Sequence, residues 1–128
     1  MIAYVDTSAL GRLLLREPSC AAILDTLAAY DRRAASGLAR VELCRLGLRT
    51  DRLGDANRLL SGMALIPVDA DVLAAAETVS PAAVATLDAI HLVTALRLAD
   101  ADRLDALLTY DRRLADGARE HGITVLAP

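Results

Sequence analysis

Apolar residues in this chain come in short runs broken by polar, helix-starting residues, and the runs alternate between strand-like and helix-like spacing. Residues 2–5, Ile-Ala-Tyr-Val, form a compact apolar run ending at Asp6-Thr7-Ser8, which predicts a buried strand followed at once by a capped helix over 8–16. Pro18 interrupts that helix, and Ser19 can start a second one reaching to about Tyr30. Residues 34–37 read as a second strand, before a helix from about Leu38 to Arg49 in which Val41, Cys44 and Leu48 make an apolar stripe predicted to be buried. Glu42 lies beside that stripe. A further helix is expected over 51–60, then a Ser61-Gly62 break and a third strand over 64–68, where Pro67 marks a strand end or an exposed position. Asp69 or Asp71 can cap the next helix to about Val79, Ser80-Pro81 breaks the chain again, and TLDAIHLVTALRLAD reads as one long helix. Residues 105–111 give a fourth strand, 112–120 a helix ended by Gly122, and 123–126 a fifth strand. Strand-then-helix order repeated in this way predicts a three-layer α/β/α fold with a mostly parallel sheet of about five strands.

Length and composition narrow the picture. A chain of 128 residues is the size of one domain, and no linker or repeat divides it, so residues 1–128 are expected to fold as a single unit. Phe and Trp are absent, so the core has to be built from Leu, Val, Ile and Ala, which suits helices laid over buried parallel strands. Every basic residue is Arg; the absence of Lys excludes a Walker P-loop, Schiff-base chemistry and phosphorelay receivers. Coding bias alone could explain the Arg-only composition. Cys20 and Cys44 lack metal-binding or disulfide spacing and are expected to be buried free thiols. The N-terminus has no signal-like region and no stretch is long enough to span a bilayer, so no membrane association and a cytoplasmic location are expected.

The chemistry lies in four acids, Asp6, Glu42, Asp88 and Asp111. In an open parallel sheet, ligands gather at the carboxyl ends of strands where the strand order reverses, and Asp6 and Asp111 both sit at such ends. Glu42 and Asp88 lie early in helices that follow, so four elements could aim carboxylates at one crevice. Clustered carboxylates raise one another's pKa unless they hold a cation, and an all-oxygen set suits Mg²⁺ or Mn²⁺. Each acid also has a plainer role open to it. Asp6 can be a helix cap, Glu42 a partner of Arg45, Asp88 a helix-start residue and Asp111 a turn residue.

Asp6-Thr7-Ser8-Ala9-Leu10 after an N-terminal strand, Glu42 at a helix opening, Leu87-Asp88-Ala89-Ile90-His91-Leu92, and Leu108-Thr109-Tyr110-Asp111-Arg112-Arg113-Leu114 occur in that order along nearly the whole chain. Together they resemble the PIN-domain family, specifically VapC-like toxins. The resemblance implies a Rossmann-like PIN fold, Mg²⁺- or Mn²⁺-dependent endoribonuclease activity, a homodimer, and inhibition by a cognate VapB-like antitoxin. It places Asp6, Glu42, Asp88 and Asp111 on the family's metal-holding acids. Thr7, Ser8 and Thr109 match hydroxyl positions that orient a carboxylate or a metal-bound water.

Other residues stay open between two roles. Asp116 could join the metal site or be a solvated helix residue; His91 could be a base or a packed, hydrogen-bonded histidine. Arg40, Arg45 and Arg49 could meet RNA phosphates or form surface ion pairs. The net charge of -3 runs against a broadly nucleic-acid-binding surface, and no direct DNA binding is expected without an antitoxin. The Leu-rich segments 10–15 and 43–48 predict apolar surface for a dimer or antitoxin. An aspartyl-nucleophile phosphatase is disfavoured, because Ser8 stands where a second acid is needed and no Lys exists. A PIN-like module that binds RNA or protein without cutting is the remaining alternative.

Overall fold

A computed structural model describes all residues, 1–128, with strands β1 (Ile2–Val5), β2 (Arg32–Ser36), β3 (Ala64–Ile66), β4 (Ala106–Leu108) and β5 (Val125–Leu126). Between them lie α1 (Thr7–Leu14), α2 (Cys20–Leu27), α3 (Gly37–Arg49), α4 (Leu53–Ser61), α5 (Ala70–Ala76), α6 (Thr86–Asp100) and α7 (Arg112–Glu120). The five strands form one parallel sheet in the order β3-β2-β1-β4-β5. The chain runs outward from β1 through β2 to β3, then crosses back to build β4 and β5 on the other side. The order therefore reverses between β1 and β4, at the middle of the sheet.

Strand alternation sorts the core into two layers. Ala3, Val5, Ala35 and Leu108 pack beneath α1 to α4 with Leu10, Leu14, Ile23, Leu43 and Leu60. Tyr4 and Leu107, one residue out of phase, face the opposite side and pack with Leu92, Ala95, Leu114 and Ala118 of α6 and α7. This period of two, with both faces covered, is why the strands read as uninterrupted apolar runs. No helix is long and apolar enough to cross a membrane.

Capping explains where the helices begin. Asp6, Asp69 and Asp111 each adopt extended backbone and accept a hydrogen bond from the amide three residues on, while Ser36 does the same for Leu38. Pro67 follows β3 directly, as its missing N–H requires. Gly122, at φ 80°, provides the left-handed turn that releases the chain from α7 into β5.

Several expectations are corrected. In α3 the buried positions are Ala39, Leu43 and Gly47, while Val41 and Leu48 are 59% and 55% exposed. The phase of the helix is set by Gly47, where a Cβ would stand 3.0 Å from Leu53 Cα and 3.2 Å from Ala56 Cβ. Only a glycine lets α4 approach so closely, and that contact outranks the apolar pattern. Leu10, Leu13 and Leu14 are core residues rather than spare surface. The helix expected from residue 51 begins at Leu53, because Asp51 takes a positive φ. Both cysteines are free, but only half-buried.

Candidate active site

Asp6 leaves the end of central β1 and is only 2% exposed. Its Oδ1 accepts from Ser8 Oγ at 2.6 Å and from the Ala9 amide at 3.2 Å, and its Oδ2 accepts from Thr109 Oγ1 at 2.7 Å. Burial pushes this carboxyl above its ordinary value, and the Ser8, Thr109 and Ala9 bonds pull against that rise. Ser8 and Thr109 also join two strand ends: Ser8 Oγ accepts from the Tyr110 amide at 2.9 Å, and Thr109 Oγ1 from the Asp111 amide at 3.0 Å. Asp6 and Asp111 are thus held on either side of the point where the strand order reverses.

Asp111 caps α7, accepting from the Leu114 amide at 2.8 Å. Asp88 sits in the first turn of α6 and Glu42 in the second turn of α3. Asp88 shows how near the four acids are. Its carboxyl is pushed up to about 6, first by burial, then by the charges of Asp111 and Asp6, with Glu42 adding and His91 opposing. Asp6 and Asp111 cap helix N-termini and Asp88 lies in the first turn of its helix, so helix dipoles offset part of this repulsion.

Glu42 does not take its plain partner. Instead of Arg45 it meets His91 Nε2 at 2.7 Å and Thr7 Oγ1 at 2.7 Å, both at Oε1. Burial raises its pKa, but the His91 and Thr7 hydrogen bonds outweigh that and hold the carboxyl below the usual range. His91, 1% exposed, contacts Tyr4 Oη through Nδ1 at 2.6 Å. Sequence reasoning missed Tyr4. The available signal was its place between Ala3 and Val5, which turns a lone tyrosine to the opposite face, where its hydroxyl needs a partner.

No set of three His, Cys, Asp or Glu side chains, the four acids included, is drawn together as it stands in a geometry that would hold a metal ion. Glu42 is tied to His91 and Thr7, and Asp111 to the Leu114 amide of α7. The donors are nonetheless of the right kind: buried Asp6 and half-buried Glu42, Asp88 and Asp111, with the charges of the other three acids opposing that of Asp88.

Asp116 is exposed and pairs with Arg119 at 3.4 Å. It shares a cavity of about 390 Å³ with Asp111, Thr109 and Arg112. A larger, mainly apolar cavity of about 750 Å³ lies between α5 and the start of α6, and none of the four acids lines it. Asp111, Asp116 and Thr109 border the smaller one, while Asp6, Glu42 and Asp88 line neither. Arg40, Arg45 and Arg49 make no ion pair. Arg12 pairs with Glu17 at 3.7 Å and stacks its guanidinium 3.7 Å from the Tyr110 ring centroid.

Fold and site define a class: an open parallel α/β protein with an acidic crevice at the carboxyl edge of its sheet. The chain belongs to the PIN domain family, whose model matches residues 3–120. It is 39% identical over 132 residues to ribonuclease VapC47 of Mycobacterium tuberculosis, covering 98% of this chain and 96% of that one. Ribonuclease VapC46 of the same species is 40% identical over 129 residues, with the same coverage. Among solved structures, a toxin-antitoxin complex from Klebsiella pneumoniae contains a chain of the same fold, with TM-score 0.72, 21% identity, and 98% and 97% of the two chains covered. VapBC2 from Rickettsia felis, bound to a promoter DNA fragment, matches with TM-score 0.68, 16% identity and 98% coverage of both chains.

Proposed function

We propose that this chain is a metal-dependent endoribonuclease, the toxin of a toxin–antitoxin pair, which hydrolyses phosphodiester bonds in structured RNA. The observation that carries this reading is the approach of Asp6, Glu42, Asp88 and Asp111 from four separate elements, near enough that the charges of three of them oppose that of Asp88. Such a cluster is stable at neutral pH when a divalent cation shares it. The names of the VapC relatives support the activity, and the toxin-antitoxin fold neighbours support the partner.

Asp6, Asp88, Asp111 and Glu42 would hold Mg²⁺ or Mn²⁺. When bound, the ion supplies Lewis-acid polarisation of a phosphodiester and a water acidic enough to attack it. The chain's own residues do the positioning. Ser8 and Thr109 fix both oxygens of Asp6, Thr7 fixes Glu42, and Asp111 is aligned by the first turn of α7. Arg112 and Arg119 line the hollow and Arg12 stacks on Tyr110 at its edge; these three are the candidates for contact with RNA phosphates. Aromatic stacking platforms are scarce, which favours recognition of RNA shape and backbone. The exposed Val41 and Leu48 on α3 offer apolar surface for a second copy or an antitoxin. A cytoplasmic site of action accords with the RNA substrate.

The test is cleavage of a structured RNA by the purified protein with Mg²⁺ or Mn²⁺, its arrest by a chelator, and its loss in Asp6→Asn and Asp88→Asn. Full activity in either variant would falsify the assignment. The unconverged acids favour a second reading, a PIN-like module that binds RNA or protein without cutting. Tight RNA binding with no cleavage at any Mg²⁺ or Mn²⁺ concentration selects it.

A further inference from the structure

We infer that Tyr4 and His91 are positioning residues for Glu42, holding one carboxylate oxygen inward so that the other is presented to the acidic crevice; the inference rests on the metal-dependent nuclease reading. The case is one of counting donors. The Ser36 amide donates to Tyr4 Oη at 3.1 Å, so that oxygen already accepts one bond. Glu42, an ionised carboxylate, can only accept, so its bond to Nε2 calls for the ring proton there and leaves Nδ1 to accept the single Tyr4 proton at 2.6 Å. A ring that accepts at Nδ1 carries its proton on Nε2, the nitrogen 2.7 Å from Glu42 Oε1. Thr7 Oγ1 donates to that same oxygen at 2.7 Å. Oε1 is therefore occupied by two donors, and Glu42 makes no hydrogen bond through Oε2.

The chain of bonds runs from β2 through β1 and α6 to α3, so the register of the sheet sets the direction of a carboxylate on a helix above it. Tyr4 and His91 are buried and meet edge to face, with ring planes at 75°, which leaves the imidazole little freedom to turn. A purely structural network would need only satisfied polar atoms. This one spends three side chains on one oxygen of one acid.

The experiment uses the full chain. Nitrogen NMR of the histidine side chains should place the His91 proton on Nε2, with neither metal nor RNA present. Mn²⁺ binding, measured by calorimetry without RNA, should weaken about tenfold or more in Tyr4→Phe and in Thr7→Val, the usual effect of removing a partner behind a metal ligand. In RNA cleavage both variants should lose kcat while KM stays near that of the wild type. Their unfolding midpoints, read in the same samples, should stay above the assay temperature. A proton on Nδ1 overturns the inference. So do variants that bind Mn²⁺ and turn over like the wild type, and in that case the nuclease reading survives. A wild type that neither binds Mn²⁺ nor cuts RNA overturns both. If Tyr4→Phe does not fold, Thr7→Val and the wild-type tautomer decide.

Discussion

Replacing Asp88 by Asn should stabilise the metal-free protein while abolishing RNA cleavage. The carboxyl stands at about 6 in the fold against an ordinary 3.8. A folded value above the unfolded one means that the native state holds the proton more tightly, so ionising Asp88 removes stability as pH rises from about 4 to about 6. At about 1.4 kcal/mol per unit the full separation is worth about 3 kcal/mol. Asp88 is half-buried, and solvent screening reduces this to about 1.5 kcal/mol. Asn also gives up about 0.5 kcal/mol of attraction between a carboxylate and the N-terminus of α6. A net gain of about 1 kcal/mol remains at pH 7.5, equal to about 3–4 °C in unfolding midpoint for a chain of this size. Calorimetry of wild type and variant in chelator, at pH 7.5 and pH 4, measures it; the gain should be mostly gone at the lower pH. Saturating Mn²⁺ should reverse the order, because only the wild type retains its full set of ligands. An Asn variant less stable than the wild type at pH 7.5 in chelator would refute the account of mutual repulsion.

Asp6→Asn should keep stability within about 1 kcal/mol, since Asn also caps helices, whereas Asp6→Ala should lose about 2 kcal/mol by stranding the Ser8, Thr109 and Ala9 donors; urea unfolding separates the two. Gly47→Ala should cost about 1–3 kcal/mol, because its Cβ would press on the α4 backbone at 3.0 Å, and an unchanged urea midpoint would show that α4 yields freely. Asp116→Asn should leave stability within about 0.5 kcal/mol, as expected for an exposed pair with Arg119. Its cleavage rate should stay within about twofold of wild type, in contrast to loss of cutting in Asp111→Asn. Equal loss in both would bring Asp116 into the metal site.

The order of elements was legible along the chain because each local signal agreed with its neighbours. Ile2–Val5 is apolar at every position, Asp6 and Asp69 are caps by residue type, and TLDAIHLVTALRLAD begins and ends where α6 does. The placement of Asp6 at the end of β1 followed from these same signals, whereas the fourth strand, expected to reach Asp111, stops at Leu108 and Asp111 caps α7 instead. The phase of α3 did not follow from them, because its buried side is chosen by how closely α4 can approach at Gly47, a contact with no trace in the apolar pattern. Nor did the partner of Glu42. Arg45 lies on the same helix, yet the carboxylate turns to His91 and Thr7, which only folding brings near. Sequence alone determined which segments become strands and helices and which residue types could do chemistry, since those depend on local spacing and side-chain character. Tertiary structure decided which of those residues meet and in which direction each points, because such choices depend on distances between segments far apart in the chain.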